Sequence, residues 1–69
     1  MITVIRINNL GDDKPAGEVF TFSLNQECQS CCNFLWGKDI KNYLVFRNGY
    51  PVELDSDLYE FERRLEEYG

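Results

Sequence analysis

Three cysteines sit close together as Cys28-x-x-Cys31-Cys32, and their spacing could carry chemistry. A C-x-x-C pair serves redox exchange when a thiolate is exposed at a helix start, and serves zinc when four ligands converge. The chain has three cysteines and no histidine, so one copy falls short of the usual four zinc ligands. Cys28, Cys31, Cys32 and Leu35 also follow the i, i+3, i+4, i+7 spacing of one helical face. A free cysteine on a core-facing stripe packs as a small hydrophobe. Core packing is therefore the expectation, with a Cys-dependent redox function or a zinc-linked dimer as the alternative. The odd count does not fit a secreted disulfide framework.

Other chemistry has less to stand on. Asp12-Asp13 is a pair of neighbouring carboxylates in a Gly- and Pro-containing stretch, which reads as a solvated turn. Gly11 and Gly17 do not form a phosphate-binding loop, because neither glycine fingerprint is present. Without histidine, Ser-His and Cys-His nucleophile pairs are excluded. A chain this short has little left to wrap a pocket around a carboxylate pair once its core is built. The expectation is a protein that is not an enzyme, with no cofactor and no bound metal.

The C-terminal segment carries the most informative surface. Glu53, Asp55, Asp57, Glu60, Glu62, Glu66 and Glu67 stand against only Arg63 and Arg64, with Tyr50 and Tyr59 among them. Seven acids exceed what helix capping needs. Carboxylates interleaved with tyrosine can occupy a basic groove, since the acids answer Lys and Arg and the rings supply contact area. These nine residues are the candidate partner-binding set; a solvated acidic helix is the plainer alternative.

Composition narrows the classes of partner. The net charge of -5 leaves no basic patch for phosphates, which argues against direct nucleic-acid binding and against an anionic membrane. A basic partner protein fits better. No stretch is long or apolar enough to span a bilayer, and Met1–Arg6 lacks the features of a signal peptide, so a cytoplasmic protein is expected. With 69 residues, 43% hydrophobic and 28% charged, residues 1–69 form one small globular domain, as a monomer or a homodimer. Ten aromatic rings are more than one small core hides, so some tyrosines should be exposed.

The elements that must position these residues follow an α+β order. Ile2–Ile7 reads as an interior strand, and Glu18–Leu24 alternates with Phe20, Phe22 and Leu24 on one face. A long loop over Asn8–Gly17 joins the two as an antiparallel hairpin. Asn25–Trp36 is a helix, with Ser23 and Gln26 as a capping box or Asn25 as N-cap, and Gly37 at its end. Asn42–Arg47 is a strand with Leu44 and Phe46 on one face and Tyr43 and Val45 on the other. Asn48-Gly49 is a type I′ turn into a short edge strand, Tyr50–Leu54, that contains Pro51. Asp55–Tyr68 is a helix with Asp57 and Glu60 as a capping box and a stripe of Leu58, Phe61, Leu65 and Tyr68. Glu60 and Arg64 form an i, i+4 pair. The result is ββαββα, a small single sheet with two helices packed on it, in which the third strand is expected parallel to the first.

Two resemblances add to this. Tyr43–Asp55, read as apolar strand, Gly turn, return strand and acidic turn, looks like the second half of a ubiquitin-like β-grasp domain. The chain departs in ending on a helix and lacks a Gly-Gly tail, so conjugation is not implied. The alternative function it implies is a protein-interaction module whose sheet face, with Tyr43 and Val45, meets an apolar partner. The small size, acidity and aromatic content resemble phage and mobile-element antagonists such as anti-CRISPR and ArdA-type antirestriction proteins. Asn9-Leu10-Gly11 and Gly17-Glu18 before an aromatic strand are also similar to the start of ArdA-type domains. This resemblance implies a nucleic acid mimic that inhibits a host protein with a basic, nucleic-acid-binding surface.

Overall fold

β-Branched residues at the N-terminus build the strand around which the sheet forms. In the computed structural model, residues 1–23 and 25–67 are described. β1 (Ile2–Arg6) alternates between buried and half-buried positions, with Ile2, Val4 and Arg6 facing inward. β2 (Val19–Phe22) pairs antiparallel with it, Val4 opposite Phe20 and Ile2 opposite Phe22. α1 (Glu27–Leu35) follows, then a 3-10 turn over Ile40–Asn42 and β3 (Tyr43–Arg47). β4 (Tyr50–Val52) and α2 (Leu58–Glu67) complete the described elements. The strand order is β2-β1-β3-β4, so β1 is interior and Pro51 sits on an edge strand. Asn48 and Gly49 have φ of 52° and 86°, the paired positive values that a type I′ turn needs.

The ββαββα order and single sheet are as the sequence predicts, but β3 does not run parallel to β1. It pairs antiparallel, with Val4 opposite Val45 and Arg6 opposite Tyr43. A single helix reverses the chain once. β2 runs against β1, α1 returns across the sheet, and β3 then runs in the direction of β2. The sheet is antiparallel throughout, unlike a β-grasp sheet with a parallel central pair.

Both helices cover one face. Phe61, Ile2, Leu35, Leu65, Val4 and Cys31 are fully buried between helices and sheet. Phe34 fills the end of this seam, 4.6 Å from Phe20 and 6.0 Å from Tyr43 by ring centroid. The predicted outward face of β3 is reversed: Tyr43 and Val45 are each only 2% exposed, and Leu44 and Phe46 point to the uncovered side. Alternation fixes which residues share a face, not which face the helices cover. Here the register with Val4 and Arg6 carries Val45 and Tyr43 inward.

The helix starts also differ from expectation. Gln26 adopts a left-handed conformation, φ 66°, and no side chain caps α1, so neither the Ser23–Gln26 box nor an Asn25 cap forms. Only half of the second capping box is present. The Asp57 carboxylate accepts the Tyr59 N–H at 3.0 Å, while Glu60 turns to Arg63 at 2.7 Å. Arg64 consequently pairs not with Glu60 but with Asp55 at 3.6 Å, and donates to the Glu53 carbonyl at 3.0 Å. Leu24 and Tyr68, expected on the apolar faces of β2 and α2, lie outside the described residues.

The reversed face has a direct consequence for mutation. Val45→Asp buries an unpaired carboxylate and is expected to abolish cooperative unfolding in urea. Leu44→Asp points to solvent and should leave stability within about 1 kcal/mol of the parent. Circular dichroism during urea titration reads both; a stably folded Val45→Asp protein would contradict the assigned face.

Candidate functional site

The predicted partner-binding residues fall in four places. Glu53 is exposed and Asp55 half-buried beside Arg64, at the exit from β4. Glu60 is paired with Arg63 on the outer side of α2, and Glu67 is exposed near its end. Asp57, Tyr59, Glu62 and Glu66 lie toward α1. Tyr50 is exposed at the hairpin but does not line the grooves that hold Tyr59. The nine residues therefore do not form one patch.

The structure brings Asp57, Tyr59 and Glu62 together with Trp36, a residue outside the predicted partner-binding set. Trp36 is 69% exposed and Tyr59 is 79% exposed. A groove of about 500 Å³ runs between the end of α1 and the start of α2, lined in part by Trp36, Ile40, Asp57, Leu58 and Tyr59. A smaller one of about 120 Å³ adjoins it, lined by Cys32, Asn33, Trp36, Leu58, Tyr59 and Glu62. Farther along the same helix seam, Glu62 and Glu66 border a third groove with Glu27, Cys28 and Arg47.

Local geometry explains why Trp36 is outside. In a longer helix it would continue the buried stripe one turn beyond Cys32. The helix instead closes at Leu35, and Trp36 takes an extended ψ of 128°. Gly37 then supplies the positive φ of 79° that allows the Lys38 N–H to reach the Leu35 carbonyl at 3.0 Å. The glycine immediately after Trp36 was the sequence signal that the stripe stops before the ring.

Charge on this surface is unevenly compensated. Arg63 and Arg64 are occupied by Glu60 and Asp55. Lys38 donates to the Phe34 carbonyl at 2.6 Å, with its ammonium 4.3 Å from the Phe34 ring centre. Arg47 is held by Glu27 at 3.1 Å and by the Leu65 carbonyl. Among the described residues no cation is paired with Glu62 or Glu66.

The cysteines lie beneath this face. Cys28, Cys31 and Cys32 are free and buried. Burial pushes the Cys31 thiol up to about 12, helped by the neighbouring thiols. Burial pushes Cys32 up to about 11, with Glu62 the next contributor. Such groups stay protonated near neutrality, which suits packing rather than nucleophilic attack or metal ligation. Among the described residues, no group of three or more His, Cys, Asp or Glu is placed to hold a metal ion. No helix among them is long and apolar enough to cross a membrane.

Comparison with protein-family models, curated proteins and solved structures found no significant match to the chain.

The thiols make a measurable prediction. Their folded values lie above the ordinary 9.0, so the native state keeps protons that the unfolded chain releases. Their stabilising contribution is full below pH 9.0 and declines as pH rises toward about 11 and 12. Between about pH 8 and about pH 10, unfolding free energy should fall by on the order of 1 kcal/mol per buried thiol, and less steeply in Cys31→Ala. Urea titration at the two pH values measures the difference; equal slopes in parent and variant would contradict it.

Proposed function

We propose that the protein is a small acidic, non-enzymatic binding protein. It docks through the α1–α2 helix face onto the basic surface of a nucleic-acid-handling protein and inhibits it. The observation that carries this reading is the exposure of Trp36 and Tyr59 beside Asp57 and Glu62, carboxylates with no ion pair among the described residues. Exposed tryptophan and tyrosine are the side chains that most often anchor protein contacts, and surrounding charge sets the choice of partner. A surface built for phosphate would have the opposite sign. In this reading the carboxylates stand where nucleic-acid phosphates would stand, and the protein acts in the cytoplasm.

Charge reversal tests it. Glu60→Lys, Glu62→Lys and Glu66→Lys together should weaken capture of a basic partner by roughly tenfold to a hundredfold, given on the order of 1 kcal/mol or less for each partly exposed charge. The parent complex should be released by moderate salt. Unchanged affinity in the triple variant, measured by calorimetry, would remove the acidic face from the contact.

A second reading has its own observation. The uncovered sheet face presents Thr3, Ile5, Val19, Thr21, Leu44, Phe46 and Pro51, and none of these is charged. Val19 is 54% exposed and Leu44 46%. Depletion of charge is the compositional mark of the centre of an interface. This face would serve an interaction module that meets an apolar surface on its partner, with Leu44 and Phe46 in the positions first assigned to Tyr43 and Val45. Contact there should resist salt, and Leu44→Asp should abolish it while leaving the fold intact; salt-resistant binding that survives Leu44→Asp counts against this reading.

A further inference from the structure

The small groove between the end of α1 and the start of α2 has the chemistry of a cation acceptor. Its buried lining is Cys32 with half-buried Leu58, and Trp36, Tyr59 and Asn33 form its exposed lining. Glu62 completes it, half-buried and with no ion pair among the described residues. A half-buried carboxylate loses hydration without gaining a counter-charge, and an incoming cation restores that loss. Lys38 borders the adjoining groove, but its ammonium is engaged by the Phe34 carbonyl and ring. Glu62 and Cys32 line the same groove, and the carboxylate's charge adds to burial in pushing that thiol upward.

Two kinds of protein side chain carry a permanent cation on an apolar stem. Lysine is a strongly hydrated point charge and loses much on leaving water. Arginine is planar and more weakly hydrated, stacks on aromatic faces, and presents a fork of donors to a carboxylate. Tryptophan offers the best aromatic face for such a cation. We infer that this groove receives an arginine side chain of a basic partner protein, its stem against Leu58, its guanidinium against the Trp36 or Tyr59 ring and bonded to the Glu62 carboxylate. This rests on the reading of the α1–α2 face as the docking surface.

Trp36 is the single tryptophan of the chain, so its fluorescence reports on the groove directly. The experiment titrates the full chain at low salt with three peptides in which glycine alternates with arginine, lysine or citrulline. The arginine peptide should change Trp36 emission and bind roughly tenfold tighter than the lysine peptide. The uncharged citrulline peptide should not bind. Glu62→Gln should remove most of the arginine preference, and Tyr59→Ala, which leaves the reporter in place, should weaken arginine binding. Equal binding of the arginine and lysine peptides, unaffected by either substitution, overturns the arginine site while leaving the acidic-face reading standing. Failure of both charged peptides to bind at low salt overturns that reading and the site with it.

Discussion

The inner side of β1 and β3 meets two helices, and the rest of the molecule is arranged around that single dry contact. Ile2, Val4 and Val45 on the sheet face Leu35, Phe61 and Leu65 on the helices, all of them buried. A chain of 69 residues has enough apolar side chains to close one such seam. Covering the second face of the sheet would need another layer. Ile5, Val19, Leu44 and Phe46 consequently remain on an open, uncharged surface. The helices turn their other sides to water and carry most of the chemistry that a partner could recognise.

Charged groups also reinforce the seam. Glu27 on α1 holds Arg47 on β3, and Arg47 in turn donates to the Leu65 carbonyl of α2, so one guanidinium joins three elements. At the other end of the sheet the Arg6 guanidinium is buried near the Phe20 and Tyr43 rings, 5.2 Å and 5.7 Å from their centres, with Glu18 at 3.3 Å. These uses matter for function because they remove cations from the surface. Arg63 and Arg64 are likewise committed to Glu60 and Asp55. The net charge of -5 is thereby expressed in part along the α1–α2 seam, where Glu62 and Glu66 stand without a counter-ion among the described residues.

Much of this architecture is legible in the residues. The i, i+3, i+4, i+7 run of Cys28, Cys31, Cys32 and Leu35 identified the buried side of α1, and Asn48-Gly49 identified the hairpin turn. Pro51 marked an edge strand correctly because a missing N–H is tolerated only there. Two kinds of information were not present locally. Strand alternation contains no sign, so Tyr43 and Val45 could be placed together but not placed inside. Side-chain partners are chosen by tertiary neighbours, so Glu60 found Arg63 while Arg64 was drawn to Asp55. Of the predicted partner-binding set, only Asp57, Tyr59 and Glu62 meet around Trp36, whose exposure depends on where α1 closes rather than on helical spacing alone.

The proposed inhibition depends on the helix face, rather than the open sheet face, being the docking surface. The most direct measurement follows amide and indole chemical shifts of the isotope-labelled protein as a captured basic partner is added. Docking through the helix face should place the largest changes on Asn33, the Trp36 indole, Tyr59, Glu62 and Glu66, and these should diminish with added salt. Changes centred on Thr3, Ile5, Leu44 and Phe46, and insensitive to salt, would contradict it and place the contact on the sheet.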